Sequence, residues 1–453
     1  MTDSYATGNL TGPLTNGGSN YYFGGLIGSN TVSGVGANAS VTGSHASGNV
    51  TIGSSWVGGL IGFNQVNGSN GVANVSNSYA TGTVWNNPAS LSKGTGGLLG
   101  LNRSAAAGSS SIVTNSHATG AVSAGQSWTG GLIGYNYANA SGVNQTISNS
   151  YATGAVIGTV NVGGLVGLNQ ASNSGSTSIE KSYATGSVSG TQGSVGGLVG
   201  TNTVDTATSA SSNIANSYAS GYVSNTSSSY AGGLIGNNAT ATSSNSAYIS
   251  NSYATGQVTS GGDSVGGLVG FNLGNGDTRI VQSYATGSVT STSALGNNVG
   301  GLVGSNSGGA TNSNVSISQS YATGAVTAAK TVGGLVGVIS ATSGAANVDQ
   351  SYATGNVRQT AASGTAGGLV GQVATSNAGS SALIGNSYAV GNVTGTSSSN
   401  LGGLVGTFSA AGNGSIQMSY ALGAVSGSTN MGGLIGSLSA GSSLQNNYWN
   451  TTN

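Results

Sequence analysis

The cassette Gly-Gly-Leu-(Ile/Val/Leu)-Gly is written thirteen times along this chain, from Gly24-Gly25-Leu26-Ile27-Gly28 to Gly432-Gly433-Leu434-Ile435-Gly436. No other feature limits the possible folds so strongly. A unit this small cannot enclose its own core, so each copy must bury its apolar face against the next. Glycine at this density also argues against helix, at a cost of ~0.5–1 kcal/mol per interior position relative to alanine. Short β-branched runs bounded by Gly, Ser and Asn read instead as strands and turns.

A second cassette alternates with the first. Its aromatic column runs Tyr5, His45, Tyr79, His117, Tyr151, Tyr183, Tyr218, Tyr253, Tyr284, Tyr321, Tyr352, Tyr388, Tyr420 and Tyr448, on average about 34 residues apart with gaps from 28 to 40. From Val41 to Leu444 an aliphatic residue stands four places before it; Ser stands immediately before it until Asn447, and Ala immediately after until Trp449. Gly follows at plus three and Val or Leu at plus five in the thirteen full copies, whereas plus four varies freely and is expected to face solvent. Four residues past the leucine of the glycine cassette comes Asn in the first nine copies, Asn30 to Asn306, then Ile339, Val373, Phe408 and Leu438.

These columns predict an all-β fold, a parallel β-solenoid (β-helix) of about 13 repeats of roughly 34 residues with one coil per repeat. Like residues then stack ~4.8 Å apart, the hydrogen-bonded strand spacing. The expected ladders are Leu26, Leu60, Leu98, Leu132, Leu165 and Leu198; Tyr151, Tyr183, Tyr218 and Tyr253; and Asn136, Asn169 and Asn202. A coil of about 17 residues, placing the Tyr cassette over the Leu cassette, is the competing arrangement; columns specific to each cassette favour the longer coil. Residues 1–453 read as a single continuous array, a section of a longer one, with a degenerate final repeat at 437–453.

Composition narrows the function classes. Six basic and six acidic residues leave no net charge and no cluster. Nucleic acid is therefore not an expected partner, because binding it requires concentrated Lys and Arg. The absence of cysteine removes disulfides and thiolate metal sites. No apolar run approaches the ~20 residues of a membrane span, so membrane insertion is not expected. The first residues lack the basic region and apolar core of a signal peptide and already lie within a repeat.

The sequence Gly-Gly-Leu-(Val/Ile)-Gly-x-Asn resembles the GLUG motif, and Ser-Tyr-Ala-Thr-Gly-x-Val is similar to what lies between copies of that motif in secreted bacterial surface proteins. Those include filamentous-haemagglutinin-type adhesins and non-catalytic regions of large surface proteases. The closing Tyr448-Trp449-Asn450-Thr451 resembles the Tyr-Trp-Asp-Thr that ends such arrays, with Asn450 in place of the acid. The resemblance covers essentially the whole chain. It implies export to the cell surface and a β-solenoid stalk or fibre, and it supplies no catalytic residue and no cofactor.

Candidate chemistry is sparse. The acids Asp3, Glu180, Asp205, Asp263, Asp277 and Asp349 are scattered, so the paired carboxylates of a polysaccharide-active β-helix enzyme are not expected. Glu180-Lys181 reads as a surface ion pair of little worth. Gly274-x-Gly276-Asp277 is a single hint of a calcium turn without partner acids. His45 and His117 occupy the tyrosine column two coils apart, too far for one metal ion, and read as ladder substitutions. The Thr row (Thr7, Ser47, Thr81, Thr119, Thr153 and onward) suits either hydroxyls bonding the neighbouring coil or, as an alternative, an ice-binding face. The strongest site candidate is an aromatic stripe of Trp56, Phe63, Trp85, Trp128 and Tyr135, repeated after 72 residues (Trp56/Trp128, Phe63/Tyr135). Exposed aromatics on a charge-poor surface suit a cell-surface glycan or a protein partner. Self-association into an extracellular fibre through open strand edges is a further reading.

Overall fold

A computed structural model describes residues 1–14, 21–87, 93–125, 128–205, 208–226, 229–294, 298–396, 399–439 and 442–450. Thr451 of the closing motif lies outside them. The chain forms two compact units, 1–222 and 223–453. Each is a parallel β-solenoid, and the described residues contain no helix.

In the first unit, one coil consists of strands Ser110–Thr114, His117–Ala118, Val122–Ala124, Trp128–Gly130 and Ile133–Ala138. The next repeats them as Asn144–Ser148, Tyr151–Ala152, Val156–Gly158, Val160–Gly163 and Val166–Ala171. Pairing is parallel and like-on-like: Val113 with Ile147, His117 with Tyr151, Val122 with Val156, Gly130 with Gly163 and Asn136 with Asn169. The coil is thus one whole repeat, and the 17-residue arrangement is excluded because, among the described residues, the cassette tyrosines pair with their own column (His117 with Tyr151, Tyr151 with Tyr183) and not with the cassette leucines. The second unit follows the same rule, with Tyr321 on Tyr352, Val326 on Val357 and Val303 on Val336.

The inner columns are those of the sequence pattern. Leu60, Leu98, Leu132, Leu165 and Leu198 are fully buried, while Leu26, in the first glycine cassette, is half-buried. Each buried leucine carbonyl accepts two N–H groups from the preceding coil, as Leu165 does from Leu132 and Ile133, both at 2.9 Å. Val50, Ile52, Val57, Val84 and Val122 form one continuous cluster. At ~1.5–3 kcal/mol per buried aliphatic side chain, such columns are what offset the entropy of ordering a glycine-rich coil.

The glycines are fixed by close approach of backbones. A Cβ on Gly130 would lie 2.0 Å from the Ile133 carbonyl oxygen, and one on Gly131 would lie 2.1 Å from the Gly164 carbonyl oxygen. Gly154 of the tyrosine cassette is equally constrained, 2.0 Å from the Gly120 oxygen. Substitution would drive a Cβ into the main chain of the same coil at Gly130 and of the neighbouring coil at Gly131 and Gly154.

The serine before the aromatic column forms its own ladder. Ser116 N–H donates to Ser150 Oγ, and Ser150 N–H to Ser182 Oγ, both at 3.2 Å. Each hydroxyl in turn donates to the carbonyl two residues back, as Ser150 does to Ser148 at 2.8 Å. That geometry needs a left-handed residue between the two, and Asn115, Asn149 and Asn216 adopt φ of 49°, 48° and 51°. Asn tolerates this region better than most residues.

Candidate functional site

The aromatic column stacks as a continuous ladder within each unit. In the first unit His117 lies between Tyr79 and Tyr151 with ring centroids 5.0 and 4.6 Å away and planes within 6° and 4°. In the second unit Tyr253 through Tyr420 repeat at 4.9 Å. His45 and His117 are separated by the Tyr79 ring and stack on it from either side. Because the ring faces are taken up by their neighbours, this half-buried ladder offers solvent its edges and hydroxyls, not a stacking platform. Burial pulls the His117 imidazole below its ordinary value of 6.5. Burial, helped by flanking tyrosines, raises the phenols of Tyr183, Tyr284 and Tyr352.

The Thr row is exposed. Its contribution to coil stacking comes from the main chain, with Thr153 N–H donating to the Ala118 carbonyl and Thr185 N–H to Ala152, both at 3.1 Å. The expectation that the hydroxyls form the ladder is corrected here. A side chain on the outer face of a two-residue strand points away from the ladder of main-chain bonds.

The stripe residues divide. Trp56, Phe63, Trp128 and Tyr135 converge, while Trp85 lies on another sheet, paired with Thr51 and Ser123 and partly exposed. Trp56 meets Trp128 at 6.1 Å and Tyr135 at 6.2 Å, although they stand two coils apart. The intervening coil presents Gly94 at that column, and a Cβ there would lie 2.8 Å from the Trp56 ring. Glycine at this one coil therefore lets the two tryptophans close over it. Trp128 packs on Tyr135 at 4.4 Å, and Phe63 on the Tyr22 ring at 4.2 Å. As a result Trp56, Phe63 and Tyr135 are each only 8% exposed, against the expectation of exposed rings. Outward aromatics on strands one hydrogen bond apart bury one another.

Beside this cluster runs an open groove of about 310 Å³, lined by Tyr22, Trp56, Phe63, Leu101, Tyr135 and Tyr137 and flanked by Gln65, Lys93 and Arg103. Arg103 sits in register between Gln65 and Tyr137 on adjacent strands, with its guanidinium 5.8 Å from the Tyr137 ring centroid. Its Nε is shielded from solvent and has no hydrogen-bond partner among the described residues. The Tyr135 hydroxyl donates to Gln170, whose amide donates to Asp205 at 2.5 Å; Ser172 also donates to Asp205. Burial drives the Tyr135 phenol far above the ordinary tyrosine range, with Tyr137 and Asp205 adding and Arg103 opposing, so it remains a neutral donor. Tyr137 donates to Asn139 at 2.7 Å.

Sequence reading missed Tyr22, Tyr137, Lys93 and Arg103. The signal for Tyr137 and Arg103 was available in strand alternation: the residue two beyond the Phe63/Leu101/Tyr135 column must share its face. Lys93 has no such signature, since it precedes the strand.

Other candidates separate. Among the described residues no three His, Cys, Asp or Glu side chains come together as a metal ion requires. Asp277 is engaged by Arg279 at 2.6 Å, by the Tyr248 hydroxyl at 2.7 Å and by Asn314 at 3.3 Å. Glu180 and Lys181 form no ion pair; Lys181 occupies the left-handed position of the serine ladder at φ 48°. Adjacent residues on opposite sides of such a turn diverge, which the sequence pair alone does not reveal. The molecule is thus a β-solenoid with one aromatic, cation-flanked groove among the cavities described. No protein-family model, no curated protein and no solved structure matches the chain.

Proposed function

We propose that this protein is a non-enzymatic structural and adhesive cell-surface protein, a secreted β-solenoid stalk of the kind its GLUG-like cassettes resemble, which attaches through a glycan held in the aromatic groove of its first unit. The observation that carries this reading is the groove itself. Six apolar or aromatic side chains line an open channel on a chain otherwise coated with Ser, Thr, Asn and Gly. Sugar rings present apolar C–H faces and polar rims, and aromatic faces bordered by hydrogen-bonding groups complement both. Tyr22 and Tyr137, which line the groove, keep partly exposed faces for such contact. The regular ladders give the groove a rigid floor, which limits the ordering cost on binding.

The test is a glycan array read with the intact chain and with Tyr22→Ala and Tyr137→Ala, each checked for unchanged β-type circular dichroism. Loss of the array signal in both variants is expected. An array signal identical in all three proteins would remove the groove from consideration. Exposure of the Thr row favours ice binding as a second reading, and thermal hysteresis measured on the intact chain would establish it.

A further inference from the structure

We infer that the groove selects an acidic oligosaccharide, one whose rings lie on the aromatic wall and whose carboxylate reaches the cations beside it. This inference rests on the glycan-binding reading above and goes beyond it by assigning the charge of the sugar.

Charge distribution carries the argument. The whole chain has six Lys and Arg side chains, and two of them, Lys93 and Arg103, border this one groove. Both come from the same coil, the one that places Leu101 in the groove and Gly94 against the Trp56 ring. The coils on either side supply the aromatic walls, Trp56 and Phe63 from one and Tyr135 and Tyr137 from the other. The two cations that border the groove thus flank Leu101 in sequence, Lys93 before it and Arg103 two residues after it. Among the described residues no Asp or Glu lines the groove. The nearest acid in the network, Asp205, is already engaged by Gln170 and Ser172.

The state of Arg103 supports the same ligand. Its guanidinium is half-buried against the Tyr137 ring, and its Nε–H finds no acceptor among the described residues. A charged donor group left short of acceptors is unfavourable where it sits. A carboxylate matches the fork of N–H groups and strengthens each bond by its charge. In a groove partly shielded from water the attraction is larger than at an open surface. The fold does not itself require arginine here: the same column carries Gln65 one coil before and Gln170 two coils after. The charge is thus a local addition to a scaffold that accepts glutamine at this position.

The experiment uses the intact chain and two probes of identical ring stereochemistry, trigalacturonic acid and its methyl ester, measured by calorimetry at low and moderate salt. Binding of the acid roughly tenfold tighter than the ester is expected, weakening as salt rises. Arg103→Gln and Lys93→Gln should each lower affinity for the acid by roughly tenfold and so narrow the difference between acid and ester. Tyr22→Ala should weaken both. Equal binding of acid and ester, or a salt-independent affinity, would overturn the charge assignment and leave the glycan reading intact. Failure of both probes, together with a blank glycan array, would overturn the glycan reading and this inference with it.

Discussion

Two stretches of the same buried column solve one packing problem in different ways. In the first unit Asn30, Asn64, Asn102, Asn136, Asn169 and Asn202 form an amide ladder, each Nδ2 donating to the next Oδ1 at 2.7–2.9 Å. In the second unit Asn238, Asn272 and Asn306 begin in the same way at 2.8 Å, and then Ile339, Val373 and Phe408 take over the column, all fully buried. The ladder has a direction, so where it stops a donor is stranded. Asn306 Nδ2 is that donor, buried and without a partner beside Ile339. The comparison teaches that a polar column is stable only as a run. Its interior members are satisfied from both sides, and the unmet bond collects at the last one.

The largest effect should come from breaking the run in its middle. Asn136→Leu deprives Asn102 and Gln145 of an acceptor and Asn169 of a donor. A loss of about 2–4 kcal/mol is expected for leaving several buried amide groups unmet, read from the urea midpoint of the intact chain. A midpoint unchanged by this substitution would show that the ladder adds nothing to stability.

A smaller effect separates the units at the left-handed column. Asn77, Asn115, Asn149 and Asn216 hold it in the first unit, whereas the second alternates Asn251, Asn386 and Asn446 with Gln282, Gln319, Gln350 and Met418, the last four at φ of 49°, 49°, 47° and 46°. Met418→Asn should stabilise by about 1 kcal/mol, since Asn meets less steric penalty in this region. The same substitution type has no target at Asn149, where the favoured residue is already present. A lowered melting temperature for Met418→Asn would contradict the account of that column.

The units also differ in acid response, because His45 and His117 both lie in the first. The folded-state pKa of His117 is depressed by burial. The unfolded chain therefore takes up the proton first, and stability that is fully present above 6.5 is lost as pH falls through the depressed folded value. A modest drop in melting temperature between about pH 7.5 and pH 5 is expected, and His117→Tyr should reduce it. A pH slope that His117→Tyr leaves unaltered would refute this assignment.

The smallest change is expected at the ladder's end. Asn306→Leu removes the stranded donor but takes the acceptor from Asn272. The boundary simply moves by one coil, so the net change should stay within about 1 kcal/mol. A cost equal to that of Asn136→Leu would erase the distinction between interior and terminal members.

The period was legible because identical residues pay the same packing role at every turn: Leu132 over Leu165, Tyr151 over Tyr183 and Asn136 over Asn169 follow directly from like-on-like register. Free variation between fixed neighbours also marked the column at plus four as outward, as its exposure at Asn49, Thr83 and Ala121 bears out. The groove was only half legible. Trp56 and Trp128 stood out by their spacing, but their meeting across Gly94 depends on a residue whose importance is the absence of a side chain. Trp85, equally conspicuous in the sequence, went to another sheet.

What the sequence by itself determined is the coil: its length, its parallel register and its interior columns, because a repeated pattern constrains every turn alike. What only the tertiary structure decided is which outward side chains touch. Contact between rings two coils apart, the burial of a stripe expected to be open, and the gathering of Lys93 and Arg103 at one groove depend on single residues that no period repeats. Local departures from a repeat carry no redundancy, so their consequences appear only when neighbouring coils are stacked.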